Sequence, residues 1–262
     1  MDKNKAAFKL KGIPPIYCIN LDGEPERWLY METQFKYWEI ENYTRISAYD
    51  GREDDLSDIV KGKYPDNMNS SEVGCVTSHL KAMKEFLKTD EPYAFIIEDD
   101  CDFDPVRYWS FTWRDVMSKL PYDFDVFQTA IINPGQLFLK MHKRFVNDFS
   151  TASYLITRHH AEKLVRLHCR GDKYKLDQGA KPRAVADDLI YNSGNSFAIP
   201  LFLYKIELGS SIHDIHVNVF HKSSHEGIWQ FWKSQAPMIE NWDTYFDYDP
   251  YFNRIPPGFE GK

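Results

Sequence analysis

Residues 93–97 read YAFII, a run with no polar side chain that begins just past Pro92 and passes directly into Glu98, Asp99 and Asp100. A run this short, bounded in this way and rich in aromatic and β-branched residues, reads as a strand. With no polar face it belongs in the middle of a sheet, covered on both sides.

The flanking sequence agrees with a layered α/β fold. IPPIYCIN (13–20) reads as a buried strand, Leu21-Asp22-Gly23 as a turn, and residues 24–38 as a helix with Pro25 in its first turn, where a missing N–H costs nothing. Strand, short turn and helix in that order is how α/β domains begin. A short strand is expected around Thr44–Ala48. From Asn69 the pattern is helical: Glu72 three residues on is a capping-box start, and Val73, Val76, Leu80, Met83 and Phe86 form one apolar stripe running to about Lys88. Pro105 is expected to open another helix. DVFQTA (125–130) and TASYLIT (151–157) are strand candidates, and residues 158–169 and 183–194 are helix candidates, the second stopped by Gly194. FAIPLFLYK (197–205) reads as a strand bent at Pro200 or lying at an edge. From Glu226 the chain becomes rich in Trp, Tyr and Phe, with few β-branched residues. This tail is expected to be irregular or helical and packed back on the same domain, giving a main unit over 1–225 and an extension over 226–262.

Composition narrows the classes of function. The 262 residues carry 32 Lys+Arg against 39 Asp+Glu, a formal charge of −7, which disfavours general binding to nucleic acid. An aromatic share of 16% argues for a packed interior. The Lys-rich amino terminus is not a secretory signal, and no segment approaches the roughly 20 apolar residues a spanning helix needs. Cys18, Cys75, Cys101 and Cys169 are far apart and contain no Cys-x-x-Cys pair. Reduced thiols in a cytoplasmic protein are therefore expected, rather than a zinc framework or disulfides.

Three consecutive carboxylates at the end of a strand repel one another unless a cation neutralises them, and ligands of open α/β sheets bind beyond the carboxyl ends of strands. A hard ion such as Mn2+ or Mg2+ prefers oxygen ligands and shares them with substrate phosphates. If the chain stays extended, Glu98 and Asp100 point to one side and Asp99 to the other. A solvated acidic loop is the plain alternative, and Asp100-Cys101-Asp102 offers a competing Asp-x-Asp pair.

Four segments in order resemble glycosyltransferase family 25, which includes lipopolysaccharide and collagen hydroxylysine galactosyltransferases. They are IYCINLDGEPERW (16–28), ISAYDGR (46–52), EVGCVTSHLKAMKEFL (72–87) and YAFIIEDD (93–100), with weaker matches at SYLITRHHAEKL (153–164) and AVADDLI (184–190). The resemblance implies a nucleotide-sugar-binding glycosyltransferase fold of the A type over the main unit, with a mixed central sheet flanked by helices. It implies a hexose (galactose or glucose) moved from a UDP-sugar donor to a hydroxyl on a glycan or hydroxylysine acceptor, with inversion, and Mn2+ (or Mg2+) as cofactor. Carried over by position, Asn20, Leu21, Arg27, Ser78, His79, Glu98 and Asp99 would line the donor side. Asp100 and Glu98 would hold the metal, joined by a late histidine: His221 first, with His216 and His225 as alternatives. Asp188 or Asp187 would be the general base, only one of them facing the pocket because adjacent helix positions diverge by about 100°. For Arg27 the plain alternative is a surface ion pair with Glu24 or Asp22; for Ser78 and His79 it is hydrogen bonding at a helix end or in the core. The tail's Trp and Tyr residues would pack the core or a lid, with stacking on an acceptor sugar as the alternative.

Competing classes are a sugar-phosphate nucleotidyltransferase or metal-dependent phosphohydrolase on a similar sheet, and a catalytically inactive UDP-sugar-binding module. A nucleotidyltransferase would carry a Gly-rich basic loop after its first strand, and LDGEPER has one Gly and two Glu.

Overall fold

The computed structural model describes residues 4–52, 55–133, 135, 137–176, 183–208 and 221–248. In chain order its elements are β1 (Ile16–Asn20), α1 (Pro25–Tyr37), β2 (Tyr43–Ser47), α2 (Ser70–Phe86), β3 (Tyr93–Glu98), β4 (Cys101–Asp102), α3 (Trp113–Lys119), β5 (Val126–Gln128), β6 (His142–Lys143), β7 (Ser153–Thr157), α4 (Arg158–His168), β8 (Cys169–Arg170), β9 (Lys173–Tyr174), α5 (Ala186–Tyr191), β10 (Ser196–Ala198), β11 (Leu203–Tyr204), α6 (Lys222–Gln230) and α7 (Asp243–Phe246). Seven strands form one mixed sheet in the order β2-β1-β3-β7-β5-β10-β6. β1 runs parallel to both β2 and β3, while β7 is antiparallel to both β3 and β5.

β3 is internal, as its all-apolar run requires. Alternation along the strands divides the core by face. Ile16, Cys18, Phe95, Ile97 and Leu155 pack against Met31 and Phe35 of α1 and Trp113 of α3. Tyr17, Ile19, Ala94, Ile96 and Ile156 pack against Val73, Val76, Leu80 and Met83 of α2 and Leu164 of α4. The capping box forms at the start of α2: Asn69 Oδ1 accepts from Glu72 N, and Glu72 Oε2 accepts from Asn69 N.

Several expectations are refined. Pro105 lies in a 3-10 turn (Asp104–Tyr108) ahead of α3 rather than opening an α-helix. α5 ends at Tyr191, capped by Asn192, before Gly194 is reached. The run 197–205 is broken into β10 and β11, with the Pro200 carbonyl accepting from Trp232 Nε1. β10 is one strand in from the edge, covered by the two-residue β6. The described part of the tail is largely helical and joins the core on the α1 side. Trp232 stacks on Trp242 with ring centroids 5.6 Å apart, and both pack with Phe111. Among the described residues no helix is long and apolar enough to cross a membrane, and all four cysteines are free.

Candidate active site

The parallel strands β1, β2 and β3 end at Asn20, Ser47 and Glu98, and a cleft opens beyond these ends. Among its lining residues are Asn20, Leu21, Arg27, Ser78, His79, Glu98, Asp99 and Asp100, all expected from the sequence, together with Tyr49, Asp50, Gly51, Arg52, Ser71 and Cys75.

The three acids do not follow strand parity, because β3 stops at Glu98 and the chain turns at Asp99 and Asp100. Asp99 is fully committed inside the protein. Its Oδ1 accepts from Arg27 Nε at 2.8 Å and Nη2 at 2.5 Å, and its Oδ2 from Asn20 Nδ2 at 2.7 Å. Arg27 is therefore a buried clamp, not a surface partner of Glu24 or Asp22; those acids pair with Arg52 and Arg45 instead. Asn20 Oδ1 accepts from Arg45, so both ends of that amide are also held. Asn20, Arg27 and Asp99 thus fix the turn that carries Asp100.

Asp100 is different. Its Oδ2 is 3.4 Å from Arg27 Nη2, while its Oδ1 is buried with no hydrogen-bond partner. Burial, reinforced by the charges of Glu98 and Asp99 and only partly offset by Arg27, pushes its pKa up to about 7.

Glu98 turns toward α2. His79 Nε2 lies 3.2 Å from Glu98 Oε1, and Thr151 Oγ1 donates to the same oxygen at 2.6 Å, leaving Oε2 without a hydrogen bond among the described residues. Burial opposes its ionisation, but these two donors outweigh it and hold the carboxyl below its ordinary value. His79 Nδ1 is 2.9 Å from Tyr154 Oη, so the ring is fixed from both sides. Ser150, the residue before Thr151, has φ 101°, a conformation that L-residues rarely adopt. Ser78 serves the scaffold: its hydroxyl donates to Gly74 O and accepts from Tyr49 N. That bond docks the Tyr49–Arg52 loop on α2. The approach is so close that a Cβ on Gly51 would meet Ser70 O at 1.9 Å, and one on Gly74 would meet Tyr49 O at 2.6 Å. Sequence reading passed over Arg52 and Thr151. Arg52 was legible within the motif ISAYDGR, whereas Thr151 meets Glu98 across 53 residues of sequence.

Asp187 and Asp188, at the start of α5, do diverge. Asp188 accepts from Arg183 N through Oδ2 and from Asn192 Nδ2 through Oδ1, so both its oxygens are occupied. Asp187 uses Oδ1 to accept from Ser150 N. Burial raises its pKa despite Arg144 and the Ser150 N–H, and the Glu98 charge adds to the rise. Neither acid lines the cleft, so the expectation that one of them faces it is not met; of the two, only Asp187 feels the Glu98 charge. His221 packs its ring on Tyr204, 5.7 Å between centroids, and its carbonyl accepts the Tyr204 hydroxyl. Tyr204 pairs with Cys101, and the next residue, Lys205, donates its N–H to Asp100 O. His225 packs on the same Tyr204 ring. His216 lies outside the described residues. Asp102, of the competing Asp-x-Asp pair, is buried under Tyr30 and Gln34 and does not line the cleft.

The model of glycosyltransferase family 25 (LPS biosynthesis protein) matches residues 13–178, well over half of the chain. The chain belongs to glycosyltransferase family 25. The match spans every strand that ends at the cleft, together with α2 and Thr151; Asp187, Asp188 and His221 lie beyond it. No curated protein matches this sequence. Among solved structures, A197 from STIV is similar at 11% identity and TM-score 0.38, over 73% of this chain and 84% of that one. The nucleoside-diphosphate-sugar pyrophosphorylase from Vibrio cholerae RC9 is similar at 10% identity and TM-score 0.35, over 82% of each chain. At these TM-scores neither bears on the chemistry.

As a family 25 member the chain is a glycosyltransferase, and its mixed sheet flanked by helices is consistent with a nucleotide-sugar fold of the A type. The family implies a divalent metal, and the residues of the cleft fit one. Of the acids in its lining, Asp99 is paired with Arg27 and Asp50 with Arg52, which leaves Glu98 and Asp100 to face a cation. A buried carboxylate oxygen with no donor is an unfavourable arrangement that a dication would relieve.

Proposed function

We propose that this family 25 member is a cytoplasmic, UDP-sugar-dependent hexosyltransferase that moves galactose or glucose to a hydroxyl of a glycan or hydroxylysine acceptor, with inversion. The observation that carries this reading is Asp100, whose Oδ1 is buried and unpartnered at the mouth of the parallel strands.

Asp100 and the Oε2 of Glu98 would hold Mn2+ (or Mg2+), with His221 as a further ligand beside Tyr204. Bound there, the ion supplies Lewis-acid neutralisation of the departing diphosphate. The chain's own residues do the rest. The Asn20–Arg27–Asp99 clamp fixes the Asp100 turn, and His79 with Thr151 orients Glu98. Arg52, which bridges Asp50 and Glu24 on the cleft wall, would exchange part of that pairing for the donor phosphates. Ser71, in the first turn of the 17-residue α2, adds the positive end of that helix. Leu21 and Tyr49 give the donor apolar surface. In an inverting displacement the acceptor oxygen bonds to the anomeric carbon as the bond to the UDP oxygen breaks, and one base takes the hydroxyl proton. Asp187 suits that role: it has an oxygen free of hydrogen bonds, and a raised pKa makes it a stronger base than an ordinary carboxylate. Asp188 is the second choice.

A thermal-shift panel of nucleotides and nucleotide sugars, with and without Mn2+, followed by an assay of UDP release, tests the reading. Stabilisation by UDP and its sugars that requires Mn2+, and that is lost in Asp100→Asn, is the expected result. No response to any uridine nucleotide, or full UDP release by the variant, overturns it.

A further inference from the structure

Cys75 and His79 are four residues apart on α2 and so share one face of the helix. That face looks onto the end of β3. A ligand atom from each of Cys75, His79 and Glu98 lies within 4.8 Å of the others. His79 Nε2 and Glu98 Oε1 are 3.2 Å apart, close to the edge of about 3.3 Å expected for a tetrahedron with metal–ligand bonds of about 2.0–2.1 Å. The histidine already has the outer support that metal-bound imidazoles need, because its other nitrogen meets Tyr154 Oη at 2.9 Å. All three residues line the cleft, so a fourth coordination position would open into it.

The donor set is chemically unlike the one at Asp100. A thiolate favours softer transition ions, whereas a set dominated by carboxylate oxygens favours Mg2+ or Mn2+. A thiolate and a carboxylate also balance the charge of one dication. We infer that Cys75, His79 and Glu98 form a three-ligand site for a zinc-like transition ion, beside the hard-ion position at Asp100 and sharing Glu98 with it. Binding breaks the Cys75 S–H bond and forms a sulfur–metal bond, with the thiol proton passing to solvent. His79 takes the tautomer protonated on Nδ1, which donates to Tyr154 Oη and frees the Nε2 lone pair for the ion. One proton leaves per ion bound.

The test uses the full chain, stripped of metal and titrated with Co2+. A thiolate-to-cobalt charge-transfer band is expected, saturating at one ion per chain, with release of one proton and displacement by Zn2+. Cys75→Ser should lose the band and bind Co2+ at least tenfold more weakly, while Asp100→Asn should keep both. Absence of the band in the wild-type chain overturns the proposal whatever the variants do, as does a band that survives in Cys75→Ser. Because Asp100→Asn is the variant on which the transferase reading turns, failure of one proposal is distinguishable from failure of the other.

Discussion

Arg27 reaches from α1 to Asp99 and donates through both Nε and Nη2 to a single carboxylate oxygen, while the other oxygen is held by Asn20. The middle acid of the strand-end triplet is thereby neutralised within the scaffold. Its two neighbours are left to differ: Glu98 is ionised by its donors, and Asp100 is frustrated by burial.

Removing Arg27 therefore exposes a charge the interior cannot accommodate. Arg27→Met should cost about 3–5 kcal/mol of unfolding free energy, because Asp99 stays buried without its partner. The double variant Arg27→Met/Asp99→Leu should recover much of that loss. Urea denaturation of the two proteins checks both expectations.

Asp100 gives a pH signature. Its pKa rises from 3.8 in the unfolded chain to about 7 in the folded one. Below pH 4 both states are protonated and the group contributes nothing. Between pH 4 and 7 the unfolded state ionises first, so stability falls as pH rises, by up to about 4 kcal/mol above pH 7. Metal-free Asp100→Asn should thus melt above wild type at pH 8 and close to it near pH 4. Added Mn2+ should stabilise wild type increasingly as pH rises through about 7, because the ion competes with a proton for the carboxylate, and should do little for the variant. Melting curves across pH, with and without Mn2+, measure each effect.

Gly51 tests whether the Tyr49–Arg52 loop must lie flush on α2. A Cβ there would meet the backbone oxygen of Ser70, which cannot rotate away. Gly51→Ala should destabilise by about 1–3 kcal/mol and weaken donor binding, since Arg52 moves with the loop. Gly23→Ala, with nothing within 4 Å of the added carbon, is the matched control.

What the sequence disclosed was local. The apolar β3, the capping box of α2 and the strand–turn–helix at the start of the chain are set by neighbours within a few residues, and each appears where the pattern places it. The division of labour among Glu98, Asp99 and Asp100 was not legible, because it is decided by Arg27, Thr151 and His79, all distant in sequence, and by a turn that ends strand parity at Glu98. The two-residue strand β6 and the positive φ of Ser150 left no signal either. Ser is not a residue whose chemistry announces that conformation.

The divergence of Asp187 and Asp188 yields the sharpest functional comparison. Asp187 Oδ1 accepts from the N–H of Ser150, the neighbour of the Thr151 that donates to Glu98, whereas Asp188 is tied by both oxygens to Arg183 and Asn192. If Asp187 takes the acceptor proton, Asp187→Asn should retain UDP binding and the Ser150 hydrogen bond through its amide oxygen. It should lose about 10²–10⁴-fold in kcat, the range typical of a missing general base. Asp188→Asn should instead turn an amide N–H toward the Arg183 N–H, costing about 1 kcal/mol of stability while leaving kcat within a few-fold. Transfer rates at saturating donor, read beside UDP affinity and melting temperature, separate the two residues. Equal losses of kcat in both variants, or full activity in Asp187→Asn, would move the base away from Asp187.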